Sequence, residues 1–555
     1  MRFIEDPGSH SLPEGSGRRR RRQTVALALA LALAGCAKEN EADRGKIGFV
    51  KGFIGGVAAD VPRAAVIGRE ILSSGGNAAD AAVATYFALA VTMPSSASLG
   101  GGGICLVHDW KRKTTEALDF LSVAPARVPE ASTRPNAVPG NPRGFFALHA
   151  KYGRLRWQQV VAPAANLARF GEPVSRAFAH EIAKVERPLL DDAEMRRVFG
   201  RPGGRSLVRE GDFLIQVDLA GVLGQMGAEG PGDFYSGQTA RRLVEAALKA
   251  GGSLGIEDLR SYKPEWRDTI KVPTRTWTAH FAPPPAAAGA VEAAMWTLLT
   301  QVKSFDNASE DEKPHLFVEA ALRAFADRGQ WLKDGGLAKR LGELASPERV
   351  ARLMASYRAD RHVPADALVP APVPFPENPA ATGFAVVDRE SSAVACALTM
   401  NNLFGTGRVA PGTGIIFATL PGEAGRGPTS LGPMMIVNHH TNEFFLAAAA
   451  AGGVVAPTAL MNVAARAVIE NRPLEDALAA KRLHHGGHPD LVYYEQGLAD
   501  SVIRALKGRG HQVSATDSLG LVNIVYCARG LPPNPESCSV GSDPRGYGLA
   551  TSADR

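Results

Sequence analysis

Residues 81–91 are apolar on nearly every face of a helix, with Thr85 the one clearly polar side chain among them. A helix of that kind has no solvent side, so it must be covered all round, and that demands a layered core. Asn77 stands at its N-cap position and Asp80 three residues on, the pattern of a capping box, which sets where the helix begins. Further on come the glycines 100–103 and the strand-like Ile104, Cys105, Leu106 and Val107. A glycine run that precedes a strand and lacks a following Lys-Ser/Thr makes a poor phosphate cradle. Close backbone packing is its expected use.

The chain is 555 residues long, enough for one large core or several lobes. Of its formal charge of +6, half resides in the first 35 residues, where six arginines face Glu5, Asp6 and Glu14. The remaining +3 is too small and too scattered to indicate nucleic acid as a partner.

The basic block 18–22, the apolar run 25–34 and the sequence Leu33, Ala34, Gly35, Cys36 form a secretory leader. The run is far shorter than the roughly 20 residues a membrane span needs. Its ending resembles the lipobox of bacterial lipoproteins, which implies lipidation of Cys36, a membrane anchor and a periplasm-facing place in the cell envelope. Ala37, with no Asp at that position, points to the outer membrane rather than the inner. An ordinary leader that happens to end in Cys is the alternative. On this reading residues 1–35 are the signal peptide and 36–45 a polar tether.

Cys527 and Cys538 flank a Pro-rich turn, and an oxidising envelope permits a bond between them; two buried thiols are the other reading. Cys105 and Cys396 read as core-strand residues. From 46 to 358 helical and extended patterns alternate, and 359–380 is a Pro-rich linker whose prolines, concentrated in 364–379, read as extended and solvated. Beyond it, 383–388 and 393–398 have the pattern of a strand pair that opens a new sheet within the region 381–555.

An ordered set of motifs runs through the chain. It comprises Gly75-Gly76-Asn77-Ala78-Ala79-Asp80, the glycines 100–103, Leu118-Asp119-Phe120, Val138-Pro139-Gly140, Lys151-Tyr152-Gly153, Pro283-Pro284-Pro285, Phe325-Ala326-Asp327-Arg328, Phe404-Gly405-Thr406-Gly407 and Ser542-Asp543-Pro544-Arg545. Together these resemble the gamma-glutamyltranspeptidase family. The resemblance implies an α+β fold, the four-layer αββα sandwich of the N-terminal-nucleophile hydrolases. It also implies a chemistry without cofactors, acting on a small γ-glutamyl or amino-acid-like ligand. A precursor cuts itself after a segment like 364–380 and exposes a Thr whose hydroxyl attacks the γ-amide of glutathione, with its own α-amino group as base. Two backbone amides of a Gly-Gly turn hold the oxyanion.

Carried onto this chain, the resemblance assigns Thr399 and Asn401 to orienting the nucleophile and substrate, and Gly452 and Gly453 to the oxyanion turn. Thr429 and Ser430 match the paired hydroxyls that hold the substrate's α-carboxylate. Where the family has its nucleophilic Thr, this chain has Ala381; where it has a carboxylate-gripping Arg after Leu118-Asp119-Phe120, it has Leu121. Of the loop that binds the substrate's amino group, only Glu423 remains to stand in. Thr382 is the nearest hydroxyl. Strand alternation turns it away from the face of residue 381, whereas a bulge between Thr382 and Val386, eased by Gly383, would bring it back as the catalytic group.

The cluster His484, His485, His488 has the composition of a metal site, but it also falls where the family has a His-His pair without metal duty, and no metal is assigned. Two functions follow. One is a γ-glutamyltransferase or glutathione hydrolase that uses Thr382 or another hydroxyl. The other is an uncut homologue, anchored at the membrane, that binds a small ligand or a protein partner without turnover.

Overall fold

Helix α1 (Ala78–Thr92) is buried at all but its last residue. Its start is fixed as the sequence predicts: the Asn77 side chain accepts from the Asp80 amide at 3.0 Å, and Asp80 accepts from the Asn77 amide at 3.1 Å. Such a cap stabilises a helix by about 1 kcal/mol. Asp80 also accepts from the backbone of Arg154 and Leu155, so the same carboxylate ties the helix start to a neighbouring loop. One side of α1 lies on a sheet; the other is covered by α2 (Asn141–Tyr152) and α3 (Trp157–Phe170).

These features come from a computed structural model, which describes residues 53–303, 305–332, 341–368, 380–421 and 430–553. Cys36 with the leader and tether, residues 369–379 of the Pro-rich linker, Glu423 and Thr429 lie outside the described residues. Among the described residues no helix is long and apolar enough to cross a membrane.

Two antiparallel sheets share thirteen strands. In chain order they are β1 (Gly55–Ala59), β2 (Gly102–Asp109), β3 (Thr114–Phe120), β4 (Glu265–Arg267), β5 (Ile270–Pro273) and β6 (Trp277–Phe281). After the linker follow β7 (Ala381–Asp388), β8 (Ala393–Thr399), β9 (Met434–Asn438), β10 (Phe444–Ala451), β11 (Leu521–Leu531), β12 (Cys538–Ser542) and β13 (Leu549–Ser552). The first sheet runs β13-β1-β7-β8-β2-β3-β4 and the second β12-β11-β10-β9-β6-β5. Each therefore takes strands from both sides of the linker.

Side-chain alternation sorts the strands into layers. Phe384, Val386, Val394 and Leu398 face α1 and its neighbours. Ala385, Val387, Ala395 and Ala397 face the second sheet, meeting Met435, Ala447, Ala451 and Val525. The far side of the second sheet is covered by α4 (Ala288–Thr297), α5 (Lys313–Leu332) and α6 (Ala456–Ala464). The result is an αββα sandwich.

The glycines 100–103 do what the sequence suggests. A Cβ on Gly101 would lie 2.6 Å from the Thr399 carbonyl oxygen, and one on Gly102 only 2.1 Å from the Ser122 amide nitrogen. This contact lets β2 lie against β8 at the end where Thr399 stands. Cys105 and Cys396, read from sequence only as core residues, are opposed in the β2–β8 ladder and bonded to each other. Cys527 and Cys538 are likewise opposed and bonded. The linker departs from its solvated reading at its start: Ala365 is buried and donates its amide to Asp490 at 2.9 Å.

Candidate functional site

The site is set by the first residue of β7. β7 lies between β1 and β8 with an unbroken register: Ala381 opposes Thr399, Thr382 opposes Leu398 and Gly383 opposes Ala397. No bulge interrupts 382–386, so the alternation of faces holds throughout. Ala381 projects between the sheets, in one apolar cluster with Leu121, Ala286, Leu431 and Ala451. Gly383, on the same face, sits so close to β10 that an added Cβ would come 2.9 Å from that of Ala449.

Thr382 projects to the opposite face and is fully buried. Its Oγ1 donates to Asp60 Oδ2 at 2.7 Å, and the Gly383 amide donates to the same oxygen at 3.3 Å. Asn523 Nδ2 completes the set, donating to Asp60 Oδ1 at 2.7 Å and to the Gly383 carbonyl at 2.8 Å. Burial raises the Asp60 carboxyl above its usual range, against the lowering effect of these donors. The bulge that would bring Thr382 onto the inter-sheet face is therefore not formed. The strand keeps its period of two, and the hydroxyl serves a buried polar knot with Asp60, which Asn523 of the second sheet also joins. Neither Asp60 nor Asn523 stands in any of the chain's motifs, and each lies well over a hundred residues from Thr382.

Replacing Thr382 by Val should cost about 1–3 kcal/mol, because Asp60 loses one of its buried donors. Thermal or urea unfolding measures this. A Thr382→Val protein as stable as the parent would contradict the assignment of this hydroxyl to Asp60.

On the inter-sheet face, Thr399 Oγ1 donates to the Ala380 carbonyl at 2.8 Å and accepts from the Asn401 amide at 2.9 Å. Asn401 takes a left-handed backbone, φ 59°, a conformation that Asn tolerates better than most residues. Its Nδ2 donates to Ser122 Oγ at 3.0 Å and to the Thr419 carbonyl at 2.9 Å, while its Oδ1 is buried with no hydrogen-bond partner among the described residues. Ser122 carried no signal in the sequence.

Gly452 and Gly453 follow the end of β10, beyond Ala451. Their φ values, 134° and 67°, are ones that side chains resist, and a Cβ on Gly452 would come 2.9 Å from Gly520. Ser430 is buried next to Leu431 at the same end of the sandwich. The histidines do not converge: His484 bonds Thr458 at 2.8 Å, His485 bonds Asp490 at 3.1 Å and His488 faces Asp366 at 3.9 Å.

The family model described as gamma-glutamyltranspeptidase matches residues 64–420 and 421–553. The chain belongs to the gamma-glutamyltranspeptidase family. Similar members include the glutathione hydrolase proenzyme of Escherichia coli (strain K12), 28% identical over 538 residues, 89% of this chain and 90% of that protein. The glutathione hydrolase proenzyme of Pseudomonas aeruginosa is 28% identical over 550 residues, 89% of this chain and 94% of that protein. Among solved structures, cephalosporin acylase from Bacillus halodurans shares the fold with a TM-score of 0.77 at 22% identity, covering 93% of this chain and 99% of that one. The gamma-glutamyltranspeptidase of Helicobacter pylori gives a TM-score of 0.51 at 28% identity, covering 56% and 93%. Within this gamma-glutamyltranspeptidase fold, the site gathers Thr399, Asn401 and Ala381 at one sheet's end and places the Gly452–Gly453 turn just past Ala451, at the other's.

Proposed function

We propose that this family member holds a small γ-glutamyl or amino-acid-like amide at the sheet ends without cleaving it, and that its chain stays in one piece. One observation carries the reading. The residue that opens β7 on the inter-sheet face is Ala381, while the strand's hydroxyl, Thr382, is engaged by Asp60 on the other face. The family's mechanism needs that hydroxyl twice, to cut the precursor and to attack the substrate, and losing such a nucleophile costs on the order of a millionfold in turnover.

The ligand class rests on what persists. Relatives are named glutathione hydrolases, and Asn401 keeps a buried acceptor oxygen that a ligand N–H would satisfy. Leu121, in place of a charged gripping residue, lowers affinity for a carboxylate by roughly 1.5–3 kcal/mol. The same proposal includes export and anchoring through Cys36. Two disulfides support an oxidising compartment.

Turnover of γ-glutamyl amides is the competing reading, favoured by the retained Thr399, Asn401, Gly452 and Gly453. Release of the chromophore from a γ-glutamyl anilide separates the two, with titration calorimetry against glutathione beside it. Binding without release is the expected result. Release in proportion to protein concentration would establish the competing reading, and absence of binding to any γ-glutamyl compound would sink the ligand class.

A further inference from the structure

His315 and Glu319 stand four residues apart on α5 and so share one face of that helix. The turn after Leu506 brings His511 onto them. Nδ1 of His315 lies 2.8 Å from Nε2 of His511, which is 3.7 Å from Glu319 Oε1. One donor atom from each residue falls within 4.8 Å of the others, and all three side chains are buried, His511 being 4% exposed and the other two fully enclosed.

We propose that His315, Glu319 and His511 bind a divalent transition-metal ion, zinc by ligand type, which fastens α5 to the segment that carries His511. Two imidazoles and a carboxylate suit zinc, with a fourth position left to water. Ligands about 2.0–2.1 Å from a tetrahedral ion stand about 3.3 Å apart, and the observed separations lie on either side of that value.

The outer contacts hold the ligands in the form an ion requires. His315 Nε2 donates to the Arg358 carbonyl at 2.8 Å, which leaves the lone pair on Nδ1, the atom that faces His511. Glu319 Oε2 accepts from Arg323, and its Oε1 accepts from His362 Nδ1 at 2.7 Å. His362 is in turn held by Asp490 at 3.1 Å. A carboxylate oxygen has two lone pairs, so the bond from His362 leaves Oε1 one for an ion. The proton between the two rings is carried by His511 Nε2, and on binding it moves to Nδ1 of the same ring, so that His511 stays neutral and its Nε2 lone pair is free for the ion.

The test uses the full chain, stripped with a chelator and dialysed against zinc ions alone. One equivalent bound per chain is expected, with a rise in Tm of roughly 3–5 °C at a hundredfold excess over Kd. Cobalt(II) in place of zinc should give the intense visible bands of a tetrahedral site. His511→Asn and Glu319→Gln should each weaken binding about 10- to 100-fold, whereas His488→Asn should not. Less than a tenth of an equivalent bound by the unaltered chain overturns the proposal, as does binding that depends on His488 and not on His511. Should the variants fail to fold, the cobalt spectrum of the unaltered chain decides, and weak bands typical of six-coordinate surface binding would overturn it equally.

Discussion

Replacing Ala381 by threonine is expected to make the chain cut itself between residues 380 and 381 and to release a 175-residue fragment. The added hydroxyl projects between the sheets, opposite Thr399, whose own hydroxyl already donates to the Ala380 carbonyl of the bond to be cut. Threonine suits a strand position, and Ala381 retains 7% exposure. Once cut, the proposed chemistry has the new amino terminus as base and the Gly452–Gly453 turn as the source of oxyanion donors.

Release from a γ-glutamyl anilide should then rise by up to about a millionfold over the parent chain, the worth of a nucleophile. Leu121 is common to both chains, so the roughly 1.5–3 kcal/mol it withholds lowers the absolute rate of each and not their ratio. A denaturing gel and the anilide assay read the two effects separately. A folded Ala381→Thr protein that stays whole would mean that more than one hydroxyl has been lost.

The second large effect is on stability. Arg482 is fully buried and pairs with Asp543, and its Nη1 donates to the carbonyls of Leu519 and Gly520 at 3.1 and 2.9 Å. Gly520 is the residue against which Gly452 rests, so this guanidinium underpins the turn at the candidate site. Arg545 extends the knot, joining Glu495 to the carbonyls of Leu478 and Ala480. Arg482→Met keeps the bulk but leaves the Asp543 carboxylate with Arg545, at 3.2 Å, as its remaining cation and strips the Leu519 and Gly520 carbonyls of their donor, and should cost about 3 kcal/mol. The urea midpoint measures it. A variant as stable as the parent would show that the pair contributes little and that the turn stands without it.

Much of this was readable from local pattern. The capping box at Asn77 and Asp80 needs only a spacing of three, and the apolar α1 only its period. The face taken by Thr382 follows from strand alternation once Ala381 is placed. What could not be read depends on register between distant strands. Cys105 and Cys396 are 291 residues apart, and nothing short of the β2–β8 pairing sets them opposite each other. Asp60 reaches Thr382 and Asn523 only because β1 lies beside β7 and the second sheet packs beneath. His315 and Glu319 show a helical spacing of four, but His511 joins them from almost two hundred residues away.

The face of β7 that would carry the nucleophile has no hydroxyl at its first residue, Ala381. Intact-mass analysis of the purified chain after prolonged incubation at neutral pH tests this most directly. One species that still spans residues 368 to 381 is the expected outcome. A fragment of about 175 residues that begins at Ala381 or Thr382 would contradict it.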